Sequence, residues 1–443
     1  MRTATRTAMS VLLFSMISAS LTVGAEEALT LQKARELALE RSATLKKATL
    51  AVDAASLEAQ AQGYAALPTL TASAGSSLDY GSGQSSLDDA LGASAKVSAS
   101  ETVFDGGKTA ALVKKYGLAT EAAREELRAA RVSLIASADS AFFAELEAEA
   151  SVDAAASDLA AAKLRLDIAK AKADAGALSK SDYLQSEAEA ASYEAALNTA
   201  KKSLSSAKAK LASLTGLPAG TKTQQIDFAS YDALLNRLSA LDDAAVDKLI
   251  AAIAAIAREN SPSLAGYSLA SQEASLAIGI AKKDYLPTVT AGVSHGLSYA
   301  KVDGLSSSGS ISLTATMSLD LWNTKNTVAS AEVAARQAEL DASDSLATLE
   351  LDASQDVYSW LSSAHAVISS AKALEYAQSN YENVLEKFKL SAASASDLSD
   401  AEALVSTDKT ALITARYDFL SNLSALRSLA GLEDEAKLLA AVP

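Results

Sequence analysis

The chain repeats itself: residues 26–216 return in the same order as residues 248–432, and this duplication restricts the fold more than any other feature. Leu67-Pro68-Thr69-Leu70-Thr71-Ala72 recurs as Leu286-Pro287-Thr288-Val289-Thr290-Ala291, an offset of 219 that also carries Ser42 and Leu45 onto Ser261 and Leu264. Phe104-Asp105 aligns with Trp322-Asn323 at an offset of 218. Ser181-Asp182 aligns with Ser396-Asp397, and Gly216-Leu217 with Gly431-Leu432, at an offset of 215. Anchors in one order with a slowly drifting offset imply two copies of one structural unit, which overrides the two or three globular domains that 443 residues would otherwise suggest.

Each half reads helix, strand, strand, long helix, break, helix. In the second half the strands are expected at about 286–300 and 309–322. Ile311, Leu313, Ala315, Met317, Leu319 and Leu321 alternate with Ser312, Thr314, Thr316, Ser318 and Asp320, giving one wholly apolar face. The first-half strands, about 67–80 and 91–104, use mostly Ala on that face. Tyr80, Phe104, Tyr299 and Trp322 fall at strand ends, where they fit either a membrane interface or the ends of soluble strands. The stretches 81–86 and 304–309 are Gly- and Ser-rich and are expected as solvent loops. Pro68 and Pro287 mark turns from helix to strand, where a missing N–H is tolerated.

The rest is helical. From Ala331 to Phe388 apolar positions step by threes and fours, interrupted only by Gln378, as in a coiled-coil seam. No Gly or Pro falls between Lys325 and Leu390, so one helix can run for about 100 Å. Segments 29–64 and 182–214 placed end to end match the length of 109–174, and 248–283 with 397–430 match 325–390. A cylinder of paired helices follows. Segments 217–247 and 433–443 do not fit the coiled-coil pattern and are assigned to a linker and a tail.

Composition narrows the function. Arg2 and Arg6 precede an apolar run from Val11 to Val23 that ends in Val23-Gly24-Ala25, the pattern of a cleaved signal peptide over residues 1–25. Cysteine is absent, which removes disulfides and thiolate chemistry. The formal charge of −15 disfavours binding to nucleic acid, which needs clustered positive charge. The only two histidines, His295 and His365, lack ligand spacing, and Asp105-Gly106-Gly107-Lys108 lacks the rest of a phosphate-binding loop. No catalytic residue, metal site or cofactor is expected.

With its duplicated plan, its Leu-Pro-Thr turns and the motif Val103-Phe104-Asp105-Gly106-Gly107-Lys108 between strand and helix, the chain resembles the TolC-like outer-membrane efflux proteins from about Leu29 to Leu432. The second copy of the motif, Leu321-Trp322-Asn323-Thr324, is degenerate. The resemblance implies a homotrimer in the outer membrane. Each subunit would give four strands to one twelve-stranded barrel and its helices to a long periplasmic tunnel. It also implies partners: a periplasmic adaptor protein and an inner-membrane pump or ABC transporter.

The helix breaks 175–179 and 391–395 then become tunnel tips. Asp397 and Asp400, three apart on one helical face, resemble the acidic pair that narrows the family's entrance; by residue type alone they fit a helix cap and first-turn charge equally. Asp182 corresponds to the acceptor of a latch whose Arg and Tyr are replaced here by Ala393 and Phe388. The competing reading is a structural coiled-coil protein of the periplasm without channel activity. It accounts for the seams and the charge but not for the paired amphipathic strands.

Overall fold

The computed structural model describes residues 28–78, 91–300, 304–390 and 392–443; the expected leader 1–25, Tyr80 and the loop 81–86 lie outside them. Each repeat begins with a helix that breaks once. Helices α1 (Leu31–Arg41) and α2 (Ala43–Tyr64) meet at Ser42, whose hydroxyl accepts from Leu45 N–H at 3.1 Å. Helices α6 (Asp243–Asn260) and α7 (Pro262–Lys282) meet likewise at Ser261, which caps Leu264 N–H while Pro262 takes the first helical position. The single helices expected over 29–64 and 248–283 are therefore each two, because a serine cap restarts the helix at the same place in both repeats.

The strands β1 (Thr69–Leu78), β2 (Leu91–Phe104), β3 (Thr288–Ala300) and β4 (Gly304–Thr316) form one antiparallel sheet in sequential order. Pro68 and Pro287 each stand immediately before a strand. Cross-strand partners share a face, and the register gathers Leu70, Ala72 and Ala74 with Ala95, Val97 and Ala99, then Val293, Leu297 and Tyr299 with Leu305, Ile311 and Leu313. Ile311 is 89% exposed and Leu313 73%. The opposite face carries Thr71, Ser73, Ser94, Lys96, Ser98, Thr290, Ser294, Ser298, Ser306, Ser310 and Thr314. A bulge at Val103 shifts the register between Thr102 and Phe104.

Strand β4 differs from expectation at both ends. Residues 304–309, expected as a loop, pair with β3 from Ala300↔Gly304 to His295↔Gly309. Small hydroxyl residues suit a ladder as well as a loop: Ser298 and Ser306 hydroxyls lie 2.7 Å apart, those of Ser294 and Ser310 3.0 Å. The strand expected to reach residue 322 ends at Thr316, opposite Thr288. Beyond that pair the partner chain is Pro287, which has no N–H to give. Met317 and Leu319 lie outside regular structure, and Leu321 opens a helix.

Two long helices carry the remainder. Helix α3 (Lys108–Asp174, 67 residues) packs along α2 and then α4 (Lys180–Thr215), while α8 (Leu321–Lys389, 69 residues) packs along α7 and then α9 (Ala395–Leu429). Helix α3 also touches α7 and α9, joining the two repeats side by side. Within the expected seam, Leu349, Ala353, Val357, Trp360, Ala364 and Val367 are buried. Among the described residues no helix is long and apolar enough to cross a membrane.

The core lies midway along the helices. There the linker forms a 3-10 turn (Phe228–Tyr231) and α5 (Asp232–Ser239), and the tail forms α10 (Ala436–Ala441). Trp360 stacks on Phe419 at 5.9 Å, Tyr231 meets Phe419 edge-on at 6.0 Å, and Leu235, Leu249, Ile253 and Leu438 close around them. Beside this core is a buried ionic clasp. Asp139 of α3 accepts from Arg35 of α1 at 2.6 and 2.9 Å, pairs with Arg427 of α9 at 2.8 Å and accepts from the Ser424 hydroxyl at 2.8 Å. Glu435 takes a further bond from Arg35 at 2.5 Å. Burial pushes the Arg427 guanidinium below its usual range, and Asp139 opposes that by attraction.

Two measurements test this reading. If the exposed apolar face of the sheet meets lipid, Leu313→Arg should destabilise the lipid-inserted protein by about 2–4 kcal/mol and Thr314→Arg by far less, as read by denaturant unfolding from vesicles; equal costs would show that this face does not meet lipid. Asp139→Ala, which removes the fully buried carboxylate shared by Arg35 and Arg427, should cost about 3–5 kcal/mol in the same assay, whereas Ser424→Ala should cost only about 1 kcal/mol.

Candidate functional site

Three places concentrate side-chain chemistry: the sheet, the joint below it and the far helix tips. The joint is built on Phe104-Asp105-Gly106-Gly107. Phe104 ends β2, and Asp105 then caps α3. Its Oδ1 accepts from Gly107 N–H at 2.8 Å and Lys108 N–H at 3.0 Å, and its Oδ2 accepts from Thr109 N–H at 2.6 Å. Gly106 and Gly107 turn the chain at φ of 66° and 79°. A β-carbon on Gly106 would lie 2.4 Å from Leu286 Cδ1, so the turn sits directly on the residue before Pro287. Lys283 donates to Gly106 O at 2.6 Å and Lys108 pairs with Asp284 at 2.5 Å, locking the strand-to-helix turn of one repeat onto the helix-to-strand turn of the other.

At the matching place in the second repeat the cap is Asp320, which accepts from Asn323 N–H at 3.2 Å. The sequence pairing of Phe104-Asp105 with Trp322-Asn323 is therefore not the structural one. Trp322 stands in the first turn of α8, 81% exposed, and Asp320 performs the work of Asp105.

At the tips, α3 and α4 are joined through Gly176 at φ 69°, and residues 390–394 join α8 to α9. Ser179 and Ser394 cap the returning helices, each accepting at 3.1 Å from an aspartate N–H three residues on, Asp182 and Asp397. Asp397 completes a reciprocal box: its Oδ2 accepts from Ser394 N–H at 2.8 Å and from the Ser394 hydroxyl at 2.7 Å. These bonds, the hydroxyl first, hold the Asp397 carboxyl below the usual carboxylate range. Asp400 is exposed one turn on, while Leu398 and Ala401 face inward. The structure thus places Asp397 and Asp400 on one outward helical face, with Asp397 also serving as a cap.

Between the two hairpins lies a cavity of about 320 Å³ bordered by Asp182, Arg165, Lys172, Glu189, Phe388 and Leu398. Arg165 of α3 pairs with Glu402 of α9 at 2.6 Å and with Glu189 of α4 at 3.4 Å. The Ser399 hydroxyl donates to Glu189 at 3.2 Å, and the Lys172 ammonium sits 4.5 Å from the centre of the Phe388 ring. Burial pushes the Glu402 carboxyl up, an effect that Arg165 partly offsets. Sequence reading missed Arg165, since its partners lie on two other helices and no local spacing marks them.

A sheet with one mainly apolar face and one hydroxyl face, set on two pairs of long coils, defines a membrane channel subunit of the helical-duct class. The family described as outer membrane efflux protein matches residues 34–217 and 254–432, and the chain belongs to that family, whose members are channels of the outer membrane. Compared with curated protein sequences, the chain matches none. Among solved structures it is similar to CusC, described for folding and transmembrane channel formation, at 15% identity over 91% of this chain and 92% of that one, TM-score 0.79. The CmeC outer membrane channel of Campylobacter jejuni aligns at 17% identity over 90% and 85%, TM-score 0.77. VceC, an outer membrane protein of Vibrio cholerae, aligns at 19% identity over 91% and 97%, TM-score 0.74. At these identities the likeness is one of fold.

The joint carries its own test. Because hydrogen bonds from Thr109, Gly107 and Lys108 outweigh burial, the Asp105 carboxyl is held below its usual range. A depressed folded-state pKa stabilises above the unfolded value and loses that contribution as pH falls through the folded one. Asp105→Ala should therefore cost about 1 kcal/mol near neutrality, and the gap to wild type should narrow on acidification in pH-dependent unfolding.

Proposed function

We propose that the chain is the exit duct of a tripartite efflux pump or type I secretion system, working as a homotrimer. It joins a periplasmic adaptor protein and, through it, an inner-membrane pump or ABC transporter, and conducts substrates passively from periplasm to exterior. One observation carries the reading: a sheet with an apolar face, a hydroxyl face and two unpaired edges continues directly into coils 67 and 69 residues long. In lipid such edges must find strands, and copies of the same sheet supply them. The hydroxyl face then lines water and the coils extend the passage through the periplasm.

In this arrangement Asp397 and Asp400 ring the periplasmic entrance, with Asp182 nearby on the neighbouring hairpin. Threefold symmetry brings six carboxylates around the axis, which attract multivalent cations far more strongly than isolated surface groups do. The family's Arg and Tyr latch positions hold Ala393 and Phe388, and the Arg165 cross-link with the Lys172–Phe388 contact ties the hairpins instead. The drive for export comes from the pump, since no nucleotide-binding motif stands in the sequence.

The entrance is tested in planar bilayers. Wild-type conductance should be blocked by divalent or trivalent cations added on the periplasmic side, and Asp397→Ala with Asp400→Ala should abolish the block. Were the aspartates only caps, assembled double variants would keep it.

A further inference from the structure

We propose that Lys96 forms a polyanion-binding and anion-selecting ring in the lumen of the barrel, near the exit of the duct. The inference rests on the duct reading, because the sheet lines water only when copies close it. Its basis is the register. The described strands hold two charged residues, Lys96 and Glu101, and these stand on opposite faces. Glu101 shares the face of Ala291 and Ala99 and lies three residues from the end of β2, at the rim above the Asp105 turn. Lys96 lies deeper in β2, on the hydroxyl face, and is exposed.

Among the described residues the surroundings of Lys96 leave its charge unanswered. Ser73 of β1 and Gly296 of β3 are its direct partners, and the next positions on that face are Thr71, Gly75, Ser94, Ser98, Ser294 and Ser298. None is a carboxylate. Gly296 has no side chain, and a β-carbon built there would stay 4.0 Å from the lysine stem. The ammonium therefore projects from a wall of hydroxyls, which can donate to an anion and cannot neutralise the lysine. In low-dielectric surroundings a small number of fixed charges decides which ions enter a pore.

Closure repeats Lys96 once per copy at one depth. Among the described residues the passage would then be acidic at Asp397 and Asp400 and basic at Lys96, within a chain of net charge −15. The ligand class is compact polyanions, such as inorganic polyphosphate, arriving from outside. The effect is confined to low and moderate salt, since the Debye length falls from ~10 Å at 0.1 M to ~3 Å at 1 M.

Assembled wild type, Lys96→Arg, Lys96→Ser and Lys96→Glu are compared in planar bilayers under a KCl gradient near 0.1 M, with sodium tripolyphosphate added on the outer side. Lys96→Ser should lower the chloride-over-potassium permeability ratio at least about twofold, Lys96→Glu more, and Lys96→Arg not at all, with the differences collapsing at 1 M. Tripolyphosphate should block wild type and Lys96→Arg but not Lys96→Ser. Unchanged ratio and block in conducting Lys96→Ser overturns the inference and leaves the duct intact; wild-type trimers that do not conduct overturn the duct and the inference together. A readout without conduction uses the absence of native cysteine. A charged, membrane-impermeant thiol reagent should label Lys96→Cys in cells and spare Val97→Cys, and the reverse pattern refutes the lumenal placement.

Discussion

Lipid offers no hydrogen bonds, so a backbone that enters it must satisfy every N–H and C=O by itself or through its neighbours. In this chain the sheet obeys the rule inside and breaks it at its borders. Strands β2 and β3 are paired on both sides, whereas β1 and β4 each turn one row of donors and acceptors outward. The rest of the molecule follows from that unfinished sheet. Its faces sort apolar from hydroxyl side chains, its lower ends must hand over to helices without leaving orphan groups, and those helices must be long enough to continue the passage it begins.

The handover shows how the helix ends are satisfied. Each of the two long helices begins on an aspartate, Asp105 or Asp320, and each returning helix on a serine, Ser179 or Ser394. The coils themselves bury few large side chains, and α2 buries none in the single chain. The dense packing is gathered midway, where Trp360, Phe419 and Tyr231 meet and where Asp139 holds Arg35 and Arg427. Stability is thus concentrated in a collar, and the tips are held by polar bridges such as Arg165 with Glu402, which respond to charge more readily than an apolar core does.

Most of this architecture was legible because the sequence repeats its joints. Ser42 with Leu45 and Ser261 with Leu264 stood out as recurring pairs and prove to be cap and capped residue. Gly216 and Gly431 end their helices at φ 68°, and a β-carbon on either would strike the end of α1 at the Arg41 side chain or the end of α6 at the Asn260 carbonyl. Where reading failed, local chemistry was ambiguous. Ser and Gly at 304–309 serve a strand as well as a loop, and the apolar alternation ran past Thr316 because exposed Met317 and Leu319 keep the period after the ladder has stopped. Arg165 and the Asp139 clasp depend on contacts between distant helices, which no window of sequence contains.

The joint between the Gly106-Gly107 turn and Lys283–Leu286 has a further consequence. It pairs the lower end of β2 with the lower start of β3, and the duplication places the corresponding two segments, without the glycines and lysines of this joint, at the start of β1 and the end of β4. These remain apart within one chain and leave Tyr64, Leu67, Leu319 and Trp322 exposed, the last two by 75% and 81%. The two exposed segments differ from one another in sequence. A twofold pair would therefore set like against like, whereas head-to-tail addition joins unlike parts, the heterologous contact that generates rings when the rotation closes. In the proposed homotrimer each copy would then meet the next as the second repeat meets the first.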